Sequence, residues 1–174
     1  MNELSKYIRD IPDFPKPGIV FKDITPMLKD AGAFKMAIDQ MGKLIEPWGV
    51  DALVGIESRG FIFGAALSYH MGLGMLAARK PGKLPYKVDR VSYDLEYGSN
   101  TLELHKDSVQ KGMRVVVVDD LLATGGTARA CAQLIEKQGG IVAGHVFAVE
   151  LSFLKGSEKL QPAPVAALLK YDSE

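Results

Sequence analysis

The stretch VVVVDDLLATGGTA, residues 115–128, decides the fold. Four β-branched residues in a row leave no face for water, so residues 114–118 read as a strand covered on both sides, the usual state of a strand inside a parallel sheet. Asp119 and Asp120 then fall at the strand's carboxyl end, the edge of an open α/β sheet where ligands bind. Ala123, Thr124, Gly125, Gly126 and Thr127 follow and run into a helix expected over 127–138, which Gly139 and Gly140 close. Glycines let backbone N–H groups converge, threonine hydroxyls add donors, and the helix start contributes about half a positive charge, so this loop suits a phosphate.

Two carboxylates beside a phosphate site repel the phosphate unless something lies between them. A ligand with a phosphate at one end and hydroxyls a few ångströms away resolves the conflict. Asp119 and Asp120 can accept hydrogen bonds from a vicinal diol, each charged bond contributing about 1.5 to 3 kcal/mol. A 5-phosphorylated ribose has that layout. The plainer alternative is that one aspartate caps a turn which the glycines permit.

Working outward, residues 51–56 form a short apolar run bounded by turn formers, followed by Glu57-Ser58-Arg59-Gly60, a helix-like FIFGAALSYHMG and a second strand at 75–79. Upstream, Phe34, Ile38, Met41 and Ile45 recur at helical spacing until Pro47 and Gly49 stop them. Downstream, residues 141–149 and 165–170 read as further strands. Tyr93, Leu95 and Tyr97 alternate with polar residues, Gly98-Ser99-Asn100 supplies turn chemistry, and Leu102 and Leu104 resume the alternation, as in an antiparallel hairpin. Prolines at 12, 15, 17 and 26 exclude a continuous helix from residues 1–32, beyond a short one near 3–9. Strands alternating with helices imply an α/β fold, one domain over 1–174 with a central, mostly parallel sheet flanked by helices. Residues 79–108 are expected to be its mobile part.

Composition narrows the function. The 174 residues carry a formal net charge of +0, with 47% hydrophobic and 24% charged residues. Basic residues gather only in RKPGKLPYK, residues 79–87, so no nucleic acid is expected as a partner. No stretch reaches the roughly 20 apolar residues of a membrane span, and the N-terminus lacks the apolar run of a secretion signal, so no membrane partner is expected and the location reads as cytoplasmic. Cys131 is the single cysteine, set in the apolar ARACAQLI, and reads as a packed side chain rather than a reactive thiol. His70, His105 and His145 have no metal-ligand spacing. No G-x-x-x-x-G-K-[ST] occurs. Gly72, Gly74 and Ala77 satisfy G-x-G-x-x-A, but between a helix and a strand, the reverse of the dinucleotide-binding order.

The residues 115–128 resemble the ribose-phosphate signature of the type I phosphoribosyltransferases. PGIVFKDITP, GIESRGFIFG, RKPGKLPYK, SYDLEYG, ELSFLKGSEKL and PVAALLKY together resemble the adenine phosphoribosyltransferase family over nearly the whole chain, in the family's order. The resemblance implies the type I phosphoribosyltransferase fold, with a flexible hairpin loop at 79–108 and a small N-terminal hood that holds the base. It implies a purine-salvage reaction of adenine with phosphoribosyl pyrophosphate, giving AMP and pyrophosphate, with Mg2+ (magnesium) held mainly by substrate oxygens and water. A homodimer is expected on the same ground.

Roles follow from the same resemblance. Glu57, Ser58, Arg59 and Gly60 match the pyrophosphate loop, and Arg59 has the forked donors a phosphate accepts, although a surface arginine in a tight turn would look alike. Arg79, Lys80 and Lys83 extend this clamp, or are merely solvated. Glu96 matches the carboxylate used for proton transfer at adenine, so Glu96 and Arg59 are the catalytic candidates. Val20, Phe21 and Lys22 fall where the base is held, with the Phe21 ring available for stacking or for the core; Lys22 departs from the arginine common there. Two other readings stay open: transfer to a different base, and a purine-sensing regulator with the same fold, which would ordinarily need an added DNA-binding segment.

Overall fold

The four valines stand in the middle of a five-stranded parallel sheet. In this computed structural model, residues 3–94 and 99–173 are described. After a 3-10 turn at Glu3–Tyr7 come β1 (Arg9–Ile11), β2 (Phe21–Asp23), α1 (Thr25–Lys29) and α2 (Ala31–Ile45). Next are β3 (Ala52–Ile56), α3 (Gly60–Met71), β4 (Gly74–Ala78), β5 (Val88–Asp94) and β6 (Ser99–His105). The chain ends with β7 (Arg114–Leu122), α4 (Gly126–Lys137), β8 (Ile141–Leu151) and β9 (Val165–Tyr171).

The sheet order is β4-β3-β7-β8-β9, all parallel. From β3 the chain winds outward through α3 to β4, and from β7 it winds the other way through α4 to β8. The order therefore reverses between β3 and β7, and a crevice opens at their carboxyl ends. Val116 and Val118 pack into the core shared with α2 and α3, while Val115 and Val117 pack into the core under α4. All four are fully buried, which is the two-sided cover their β-branched run requires.

Strand β7 continues four residues past the expected Val118, because β8 offers a ladder as far as Asp119 opposite Phe147 and Leu122 opposite Glu150. The two aspartates thus lie within the strand's last turns of pleat, not beyond it. Helix α2 begins two residues before Ala33, since the Asp30 side chain accepts from the Ala33 N–H at 2.8 Å and caps it. The N-terminal segment folds as the two-stranded β1–β2 hood, with Arg9 opposite Asp23, Asp10 opposite Lys22 and Ile11 opposite Phe21.

The hairpin starts earlier than its alternation suggested. Strands β5 and β6 pair from Val88 opposite His105 to Asp94 opposite Ser99. Leu102 and Leu104 are buried in the core under α4, so the foot of the hairpin belongs to the main body. Its tip, with Leu95, Glu96, Tyr97 and Gly98, lies outside the described residues. Among the described residues no helix is long and apolar enough to cross a membrane. Cys131 is buried in α4, and burial pushes its thiol far up, away from the reactive thiolate.

Candidate active site

Strand β3 delivers Glu57-Ser58-Arg59 to the crevice, and α3 starts at once with Gly60. Only glycine fits there: a Cβ on Gly60 would stand 2.7 Å from the Val118 carbonyl and 2.9 Å from Asp119 Oδ1. That close approach sets the Glu57–Arg59 loop beside the acids of β7. The Glu57–Ser58 peptide bond is cis.

Strand alternation sends Asp120 to the same side as Val116 and Val118, the α3 side, where Arg59 waits. Arg59 Nε is 2.7 Å from Asp120 Oδ2. The same guanidinium lies 5.4 Å from the centre of the Phe21 ring, a cation–π contact. Phe21 in turn meets Phe14 edge to face at 5.3 Å. One arginine therefore links the hood to the sheet.

Asp119 Oδ1 accepts from the Asp120 N–H at 2.9 Å. Burial, and then the charge of Asp120 beside it, holds the Asp119 carboxyl well above the usual carboxylate range. Burial raises Asp120 too, against the opposing pull of Arg59. Both acids are thus destabilised as bare anions in the free protein, the state that hydroxyl donors from a ligand would relieve.

Residues 123–127 wrap from the end of β7 to the start of α4. Gly125 has φ +80°, the left-handed region, and caps the helix. A Cβ on it would collide with the Gly156 backbone, so the tail segment KGSEK buttresses the loop from outside. Thr127 Oγ1 donates to the Tyr93 hydroxyl at 3.2 Å, tying the loop to the hairpin.

These parts enclose a cavity of about 440 Å³. Its lining runs over Glu57, Ser58, Arg59, Lys80, Tyr93, Asn100, every residue from Asp119 to Ala128, and Phe147. The structure thus gathers Asp119, Asp120, Ala123, Thr124, Gly125, Gly126 and Thr127 with Glu57, Ser58, Arg59 and Lys80 around one space. Tyr93, Asn100 and Phe147 escaped the sequence reading. The turn at 98–100 and the β8 strand were visible there, but not which sheet edge they would approach.

The remaining expected residues are held by other partners or lie off this lining. Glu57 reaches the rim, but both its oxygens are taken: Arg79 Nε and Nη2 donate to them at 3.2 Å and the Lys80 N–H at 3.0 Å. These bonds, that from Arg79 foremost, hold the Glu57 carboxyl below its usual range. Lys83 is exposed, off the cavity lining, and its carbonyl accepts from Arg79 Nη1 at 3.2 Å. Val20 and Phe21 are half-buried in the hood. Lys22 is buried, its ammonium 2.8 Å from Asp10 Oδ1 and 4.4 Å from the centre of the Tyr171 ring, so it is engaged away from Phe21.

Similarity to known proteins agrees with this arrangement. A family model described as "Phosphoribosyl transferase domain" matches residues 26–162. The chain is 54% identical over 168 residues to the adenine phosphoribosyltransferase of Roseiflexus sp. (strain RS-1), covering 97% of this chain and 98% of that protein. It superposes on the crystal structure of adenine phosphoribosyltransferase from Thermoanaerobacter pseudethanolicus with a TM-score of 0.94 at 52% identity, over 97% and 98% of the two chains. The Saccharomyces cerevisiae enzyme, solved with an imino-altritol bisphosphate and adenine, gives a TM-score of 0.90 at 39% identity over 96% of this chain and 97% of that one. The switch-point crevice, the paired acids and the glycine loop are therefore those of a chain that belongs to the phosphoribosyltransferase family, among its adenine phosphoribosyltransferases.

Proposed function

We propose that this chain transfers the 5-phosphoribosyl group of phosphoribosyl pyrophosphate to adenine, giving AMP and pyrophosphate, a purine-salvage reaction. The observation that carries the reading is the pairing of the half-buried Asp119 and the buried Asp120 with an amide-rich loop across one cavity, with Arg59 joining that cavity to the Phe21 hood. A base nitrogen bonds to the anomeric carbon as the bond from that carbon to pyrophosphate breaks, and the base gives up its proton. Asp119 and Asp120 hold the ribose hydroxyls and face the positive charge growing on the ring, while residues 123–127 grip the 5-phosphate. Ser58, Arg59 and Lys80 bind the pyrophosphate, with Glu57 orienting the cations beside it. Val20 and Phe21 hold the base, and Glu96, on the hairpin within 79–108, handles its proton and closes over the site.

Of the carboxylates on the cavity lining, Glu57 is held by Arg79 and Lys80 and Asp120 by Arg59; among the described residues no group of three His, Cys, Asp or Glu side chains could hold a metal. A magnesium ion brought in with pyrophosphate would be held mainly by substrate oxygens and water, beside Asp119 and Asp120, and would neutralise charge on the leaving group. A homodimer is supported by α3, whose outer side exposes Ile62 and Tyr69. Sedimentation at twice the chain mass checks it.

The deciding experiment is AMP formation from adenine and phosphoribosyl pyrophosphate, with and without magnesium, beside hypoxanthine, guanine, xanthine and orotate. Turnover confined to adenine is expected. Preference for another base, or no nucleotide at all, defeats the proposal.

A further inference from the structure

Glu103 is a buried acid with no part in the chemistry above. It lies in β6 with 3% of its surface exposed. Its backbone N–H donates to the Arg79 carbonyl at 2.7 Å, and its carbonyl accepts from the Arg79 N–H at 2.9 Å. The side chain reaches further along the same loop: the Gly82 N–H donates to Oε2 at 3.1 Å, while Arg90 Nη2 stands 3.2 Å from Oε1. Gly82 has φ +76°, the left-handed turn that brings its N–H round to the carboxylate.

Glu57 grips the loop from the opposite side, through the Arg79 fork and the Lys80 N–H. Residues 79–83 are thus fastened at Arg79, Lys80 and Gly82 by two glutamates from different elements, β6 and the end of β3. A basic loop left free would have to be ordered each time it met an anion, and ordering costs affinity. This loop is ordered beforehand, and Lys80 stands on the cavity lining.

We propose that Glu103 is a positioning residue for the leaving group: it holds residues 79–83 against the root of the hairpin so that Lys80 meets the pyrophosphate already in place. It acts through the loop and touches no substrate. The inference rests on the phosphoribosyl-transfer reading above.

The test compares Glu103→Ala, Glu103→Gln and Glu103→Asp, alone and in a Lys80→Ala background. Glu103→Ala is expected to raise the KM for phosphoribosyl pyrophosphate, and the calorimetric Kd for magnesium pyrophosphate, about tenfold, as loss of positioning does. The KM for adenine should stay within about twofold. Glu103→Gln, whose amide oxygen still accepts from Gly82, should recover most of the loss; Glu103→Asp, with a shorter reach, should not. If Glu103→Ala fails to fold, the Asp variant takes its place. In the Lys80→Ala background the Glu103 change should add less than about twofold, since both act on one contact. A folded Ala or Asp variant with unchanged pyrophosphate affinity, an equal rise in both KM values, or full additivity with Lys80→Ala overturns the proposal. A wild-type chain that binds pyrophosphate but forms no AMP defeats the functional reading instead, and the calorimetric comparison still decides the role of Glu103.

Discussion

Arg59 and Asp120 form an ion pair of 2.7 Å in which the acid is almost fully buried and the arginine half exposed. The guanidinium carbon lies over the Phe21 ring while its Nε meets the acid. Lysine has the charge but neither the plane nor the fork. Arg59→Lys is therefore expected to lower kcat/KM by about 10- to 100-fold, read by steady-state AMP formation. Turnover equal to wild type would remove Arg59 from the active machinery.

Asp119 should trade stability for activity. Its carboxylate is disfavoured by burial and by Asp120, so the folded protein gains when that charge is removed. An amide oxygen at this position can still accept from the Asp120 N–H. Asp119→Asn is expected to raise Tm by a few degrees while lowering kcat by about 10-fold or more, because a neutral amide holds the ribose hydroxyls less firmly. A lower Tm with full activity would contradict both halves.

Phe21 should act on one substrate only. If its ring stacks on the base, Phe21→Ala raises the adenine KM by about tenfold and leaves that of the sugar donor within about twofold. Equal rises in the two constants would point to a role in the core.

Glu96 is expected to matter for turnover more than for binding. Glu96→Gln should reduce kcat by about 10² to 10⁴, the range of general acid–base catalysis. A loss under about threefold with binding intact rejects the proton-transfer role.

His145 sets an acid limit on the fold. It is 1% exposed in β8, and neither ring nitrogen has a hydrogen-bond partner among the described residues. Burial lowers its pKa to about 4; the Pro164 carbonyl opposes the shift and the Arg129 charge adds to it. An unfolded histidine titrates near 6.5, so between those values the unfolded chain binds a proton that the folded chain refuses. Stability is whole above about pH 6.5 and falls as pH drops toward 4, by up to about 3 kcal/mol from this group. His145→Leu, of similar bulk, should flatten that slope in denaturant titrations across the window. An unchanged slope would show that His145 is not its source.

Much of this was legible in the chain. The valine run announced a strand wrapped on both sides, the helical spacing of Ile38, Met41 and Ile45 announced a packed helix, and Asp119, Asp120 and residues 123–127 announced one shared space at the strand's carboxyl end, because each signal is local. Strand ends were harder to read: β7 runs to Leu122 only because β8 is long enough to pair with it.

Partner choice was decided by tertiary structure alone. Nothing near Arg59 in sequence says that it meets Asp120 and Phe21, nor does anything near Glu57 or Glu103 say that both hold residues 79–83. The engagement of Lys22 with Asp10 and Tyr171 is equally invisible, since Tyr171 is brought near only by the last strand of the sheet. Backbone preference and hydrophobic period act over a few residues and can be read in order along the chain. Charged and aromatic side chains find partners across the sheet's carboxyl edge, where β3, β7 and the hood converge, and that convergence exists only once the strands have paired.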